Sequence, residues 1–190
     1  MSPPVEPVAS DATLPARTSV VVIGGGIIGV CTALFLAEKG IPVVLCEKGR
    51  IGGEQSSRNW GWCRTMGRDV AEIPLSIESL KLWRGMNERV GRETGFRQCG
   101  IVYLCETEKE LATQEAWLEE ARQYQVDAHV LRGEALTEVM PGMVAPFVAG
   151  LHTPTDGRAE PALAAPAIAE AARAHGAQIF TDCAVRGLDL

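Results

Sequence analysis

Three consecutive glycines, Gly24-Gly25-Gly26, with a fourth at Gly29, separate a run of β-branched residues from a run of helix formers. Ser19-Val20-Val21-Val22-Ile23 reads as a buried strand and Ile27 to Lys39 as a helix. Pro42-Val43-Val44-Leu45-Cys46 reads as a second strand, and it delivers Glu47, twenty-three residues beyond Gly24. No other stretch restricts the fold so tightly. A strand that turns through G-x-G-x-x-G into a helix and returns as a second strand is a βαβ unit, and the acid at its end marks the dinucleotide-binding kind.

Each residue of the pattern has a physical task. Gly24 lets the chain turn sharply out of the first strand, and Gly26 offers no Cβ to block a pyrophosphate. Gly29 allows the helix to pack closely. The free N–H groups near Ile27 and Ile28 lie at the positive end of the helix dipole, where a diphosphate is stabilised. Glu47 suits the hydroxyls of the adenosine ribose and repels a 2′-phosphate, which disfavours NADP.

The same region mimics a membrane span, since Ser19 to Ala37 carries no charge over nineteen residues. Three glycines interrupt it, its first third is β-branched and no basic cluster flanks it, so it is read as strand plus helix. The chain of 190 residues has a formal charge of −6 and no basic stretch, which argues against nucleic acid as a partner. Residues 1–18 lack the features of a signal peptide and read as a disordered tail, so the expected location is cytoplasmic. Six cysteines form no C-x-x-C and the three histidines are scattered, leaving no zinc pattern.

Beyond Glu47, residues 48–64 are polar and glycine-rich yet hold Trp60 and Trp62, the composition of an ordered functional loop. Apolar spacing predicts one helix over 73–90, a break over 91–99 and a strand over 100–105. A charged amphipathic helix follows over 108–124, with Leu111, Trp117, Leu118 and Ala121 inward. A weak strand is expected at 129–131, a short helix at 133–140, a strand at 148–153 and a turn at 155–158. Pro161 opens an alanine-rich helix that ends at Gly176, and strands are expected at 177–180 and 184–188.

These motifs together resemble the N-terminal part of FAD-dependent oxidoreductases of the D-amino acid oxidase type, the family of glycine oxidase, sarcosine oxidase and D-amino acid dehydrogenases. The resemblance rests on Val21 to Gly29, Glu47-Lys48, Gly52-Gly53 with Ser56-Ser57, Ile73-Pro74-Leu75 with Leu82-Trp83, Gly157-Arg158-Ala159-Glu160-Pro161 and His175-Gly176-Ala177 with Val185. It departs in having Glu160 where many relatives have aspartate. It implies an α/β fold: a Rossmann-like FAD-binding βαβ core with the start of an antiparallel α+β substrate domain, apparently truncated. The implied division is 19–92 for the first part of the FAD domain, 93–154 for the start of the substrate domain and 155–190 for an incomplete return.

By that resemblance the cofactor is FAD. Ile27 and Ile28 lie by its pyrophosphate, and Glu47 and Lys48 at the ribose. Gln55, Ser56 and Ser57 run beside the pyrophosphate and ribityl chain, Trp60, Gly61 and Trp62 near the flavin ring, and Val185 by the adenine. The implied reaction oxidises the C–N bond of an amino acid or secondary amine by hydride transfer to flavin. Arg58 and Arg64 are the available carboxylate ligands; pairing with surface acids or FAD phosphates is equally open for Arg58 and preferred for Arg64. Two alternatives stand beside this reading: an NAD-dependent dehydrogenase, and a truncated product or subunit that needs a second polypeptide and holds FAD weakly or not at all by itself.

Overall fold

The computed structural model describes residues 4–189; residues 1–3 and Leu190 lie outside it. The elements begin with β1 (Val20–Ile23), α1 (Ile27–Glu38), β2 (Val43–Cys46), β3 (Trp62–Cys63), α2 (Ile73–Arg84) and α3 (Met86–Val90). They continue with β4 (Arg97–Gln98), β5 (Ile101–Cys105), α4 (Glu108–Ala121), β6 (His129–Leu131) and α5 (Gly133–Val139). β7 (Ala149–Thr153), β8 (Gly157–Arg158), α6 (Pro161–Ala174) and β9 (Gln178–Phe180) complete the order. The chain divides into two compact units. The first contains residues up to Gly61, Gly85–Phe96 and the chain from Ala159 on; the second contains Trp62–Arg84 and Arg97–Arg158.

The first unit is built on a parallel sheet in the order β1-β2-β9. All of Val43 to Cys46 is buried, as a central parallel strand covered on both faces requires. Helices α1 and α6 pack on one another. Val30, Ala33, Leu34 and Ala37 supply the buried side of α1, and α6 buries a nearly unbroken run from Ala164 to Ala169. Burying a side chain such as Leu34 or Ile168 contributes about 1.5–3 kcal/mol, so this layer holds the glycine turn in place. Pro166 sits inside α6 and lacks the N–H that would reach Ala162. The freed Ala162 carbonyl accepts instead from the Glu6 N–H at 3.1 Å.

That contact corrects the expectation of a loose tail for residues 4–18. They form no helix or strand, yet Asp11 N–H donates to the Ile179 carbonyl at 2.8 Å and Ile179 N–H returns to Asp11 Oδ2 at 2.6 Å. Arg173 also donates to the Ala9 carbonyl. The backbone groups at the edge of β9 are thereby partnered. The strand expected at 184–188 does not form; that stretch is irregular.

The second unit carries two small antiparallel sheets, β5-β7-β6 and β3-β8-β4. Helix α4 starts from a capping box in which Thr107 and Glu110 satisfy each other's backbone amides. Its buried side is Leu111, Leu118 and Ala121, while Trp117 is half-buried and donates its indole N–H to the Arg68 carbonyl at 2.8 Å. Met66, Ile101, Leu118 and Leu151 form the core beneath.

Four sequence expectations change here. The single helix over 73–90 is two helices divided at Gly85. The break over 91–99 contains β4, and the turn over 155–158 contains β8, because two-residue strands lie below the length at which alternation can be read. The unit boundaries also differ from the sequence division, since α2 belongs with the antiparallel sheets rather than with the parallel one.

Candidate functional site

In the first unit the four glycines of the turn are required for three different reasons. Gly24 has φ +105°, which an L side chain rarely adopts, although a Cβ there would meet nothing within 4 Å. A Cβ on Gly29 would lie 1.9 Å from the Gly24 carbonyl oxygen, so the close packing expected of Gly29 is made mainly against the turn itself. Gly25, to which sequence reasoning gave no task, is excluded from carrying a Cβ by Ile51 Cδ1 at 2.4 Å and by Glu47 Cβ at 3.0 Å. Gly26 alone is explained neither by a positive φ nor by packing: its nearest neighbour would be the rotatable Ser56 hydroxyl at 3.0 Å. Its missing Cβ leaves room for a ligand.

Glu47 is buried and aims at that turn. Its Oε2 accepts from Gly25 N–H at 2.7 Å, and its Oε1 accepts from Gly49 N–H at 2.8 Å. Each carboxylate oxygen has two lone pairs, so acceptor capacity remains for a sugar hydroxyl. The first bond of α1 runs from Val30 N–H to the Gly26 carbonyl at 3.0 Å. The amides of Ile27, Ile28 and Gly29 precede it and have no acceptor within the helix. Ile27 N–H donates to Ser56 Oγ at 2.8 Å. Ser56, which the resemblance sets beside the pyrophosphate, reaches the start of α1.

The loop that carries Ser56 is ordered by a residue the sequence reading passed over. Asn59 donates to the carbonyls of Gln55 (2.9 Å) and Ser56 (3.1 Å), and its Oδ1 accepts from Gly61 N–H at 2.7 Å. Gln55 and Ser57 bound a short 3-10 turn, with Ser57 buried. Gly61 has φ +71°, and a Cβ there would lie 2.0 Å from the Ala159 carbonyl; Ala159 N–H donates to the Gly61 carbonyl at 2.8 Å. The close approach that Gly61 permits is thus to this backbone. Trp60 is exposed, and Val185 stands in the irregular stretch after β9, 38% exposed. Lys48 (3.4 Å) and Arg58 (3.2 Å) both pair with the exposed Glu54, contacts worth at most about 1 kcal/mol each.

In the second unit Trp62 and Tyr103 meet in a tilted contact, 6.0 Å between ring centroids with planes at 44°, and the Arg64 guanidinium lies over both rings at 5.7 and 5.6 Å. Arg64 also donates to the Met66 carbonyl. Its fork is engaged by protein. Nearby, Asp156 is fully buried and accepts from Thr65 N–H (2.8 Å), Thr65 Oγ1 (2.9 Å) and Met66 N–H (3.1 Å). Burial raises its carboxyl above the ordinary range, while these hydrogen bonds and the Arg64 charge pull it part of the way back. Neither unit holds a cluster of three or more metal ligands among the described residues, and no described helix is long and apolar enough to cross a membrane.

The residues of the first unit fit a dinucleotide: a bare backbone at Gly26, helix amides at Ile28 and Gly29, and an acid fixed at the turn by two amides. Comparison with known proteins specifies which one. Residues 19–190 match the model of the DAO family, FAD dependent oxidoreductase. Mitochondrial sarcosine dehydrogenase of Mus musculus is 29% identical over 97% of this chain, which spans 20% of that protein. Sarcosine oxidase subunit beta of an Arthrobacter species is 30% identical over 88% of the chain and 44% of its own length. The structure of L-amino acid deaminase from Proteus myxofaciens, in complex with anthranilate, superposes with a TM-score of 0.94 and 33% identity, covering 100% of this chain and 44% of that one. The chain thus spans from a fifth to less than half the length of these relatives. It belongs to the FAD dependent oxidoreductase family.

Proposed function

We propose that the first unit binds the ADP half of FAD and that the protein oxidises the C–N bond of a small amino acid or secondary amine. The observation that carries this reading is the paired grip of Glu47 on Gly25 and Gly49 beside the start of α1. It holds a carboxylate where a ribose can meet it and leaves helix amides for the diphosphate. The Ser56 contact supports FAD over NAD, because the loop after β2 returns to the helix N-terminus instead of entering another βα unit.

Bound FAD supplies the hydride acceptor, so the protein's part is to bind and orient. The substrate class rests on the relatives, which are named for sarcosine and for L-amino acids. Arg58 is the proposed partner for a substrate carboxylate. Its exposed ion pair with Glu54 is worth at most about 1 kcal/mol. A second polypeptide supplying further cofactor and substrate contacts is part of the proposal, in keeping with a relative that is a named subunit.

Calorimetric titration tests the reading. FAD and ADP should compete for one site, NADP should not, and Gly26→Val should remove binding while leaving the circular dichroism spectrum unchanged. If ADP fails to compete with FAD, or Gly26→Val binds as well as the wild type, the assignment is wrong.

A further inference from the structure

Two thiols that play no part in the proposed cofactor contacts meet at the end of β2. Val44 and Cys46 point to one face of their strand, and with Phe180 they form a buried apolar cluster against which Cys183 packs. The backbones on either side are fastened together. Cys46 is the register partner of Phe180, Glu47 N–H donates to the Phe180 carbonyl at 2.8 Å, and Cys183 N–H donates to the Glu47 carbonyl at 2.8 Å. Between them, Asp182 takes φ +52°, a left-handed turn that Asp tolerates better than most residues, and its N–H donates to the Gly49 carbonyl at 3.0 Å. This turn brings Cys183 back over Cys46.

We propose that Cys46 and Cys183 form a dithiol that hydrogen peroxide closes to a disulfide. Cys183 is half-buried and is the thiol that reacts first; Cys46 is buried. In the first step the Cys183 sulfur attacks a peroxide oxygen, an S–O bond forms, the O–O bond breaks and hydroxide leaves. In the second, the Cys46 sulfur attacks the Cys183 sulfur, the S–S bond forms, the S–O bond breaks and water leaves. Two thiols are oxidised by two electrons, one peroxide is reduced, and two waters result. Burial and the neighbouring Cys183 thiol raise the Cys46 pKa, which disfavours Cys46 as the first nucleophile.

The other cysteines provide internal controls. Cys105 is buried, Cys31 and Cys63 are half-buried and Cys99 is exposed. Burial also pushes the Cys31 thiol up to about 11. The 190-residue chain is treated with graded hydrogen peroxide, the remaining thiols are alkylated and the peptides are mapped by mass spectrometry. The expected result is a Cys46–Cys183 cross-linked peptide, lighter by two hydrogens, at least about tenfold more abundant than any other cysteine pair and lost on adding dithiothreitol. Cys46→Ser should leave sulfenic acid trapped at Cys183 by dimedone, while Cys183→Ser should leave Cys46 reduced at the same dose. Recovery of both thiols fully alkylated at a dose that oxidises Cys99 would overturn the proposal. So would pairing of either thiol chiefly with a third cysteine.

Discussion

Glu47 and Asp156 are both buried carboxylates that hold a loop by accepting backbone N–H bonds, yet they serve different ends. Asp156 is 0% exposed, and its three recorded donors all come from Thr65 and Met66, so it is spent inside its own unit. Glu47 grips one amide with each oxygen and is 6% exposed at a turn where the backbone is bare. A buried acid therefore marks a binding site only when acceptor capacity and ligand space coincide with it. The difference predicts that Asp156 governs stability and Glu47 governs affinity.

The largest effect should come from Asp156→Ala, which leaves two backbone amides and a hydroxyl without their buried acceptor. We expect a loss of about 3 kcal/mol in urea denaturation. A loss below about 1 kcal/mol would mean that water replaces the carboxylate, and Asp156 would then not be the clamp described. Glu47→Gln should come next. The neutral amide keeps one acceptor but presents N–H to a backbone donor, and it offers a ribose a weaker partner. FAD affinity should drop by about 2 kcal/mol, roughly thirtyfold, in a titration. Unchanged affinity would remove Glu47 from the site and dissolve the contrast with Asp156.

Why one of these acids could be read from sequence and the other could not is a matter of distance along the chain. Glu47 ends a strand that follows a glycine turn and a helix, so its partner lies within a single βαβ unit whose periodicity is visible. Asp156 looks like an ordinary turn residue beside Gly157, and its donors lie 91 and 90 residues earlier. Nothing local signals the pairing. The same reasoning covers Asp11, whose contact with Ile179 spans 168 residues and turned an expected tail into a strap for β9. Gly25 was missed for another reason: the motif tasks Gly24, Gly26 and Gly29, and only coordinates reveal Ile51 pressing on the glycine between them. Val185 sits in a stretch expected as a strand, but no paired strand forms there.

A pH series separates the two acids further. The folded carboxyl of Asp156 is raised above its ordinary value, so between that value and the folded one the native state holds a proton that the unfolded state has released. Stability from this group is complete below the ordinary carboxylate range and declines as pH rises through the folded pKa. Relative to Asp156→Asn, the wild type should lose stability as pH rises from the ordinary carboxylate range through the folded pKa. A flat or rising difference would show that the three hydrogen bonds outweigh burial.

Asn59→Ala should give the smallest change, and it sharpens the comparison from the other side. Asn59 makes three hydrogen bonds, as Asp156 does, but its side chain is exposed. Water can take over each partner, so the stability loss should be about 0.5–1 kcal/mol rather than the larger figure for Asp156. What the loop loses is position: Ser56 is held at the start of α1 partly through its own carbonyl, which Asn59 binds. FAD affinity should therefore fall about threefold while the urea midpoint moves little. If stability falls as far as in Asp156→Ala, then burial is not what sets the cost of losing three hydrogen bonds. If affinity is untouched, the loop does not carry Ser56 to the ligand.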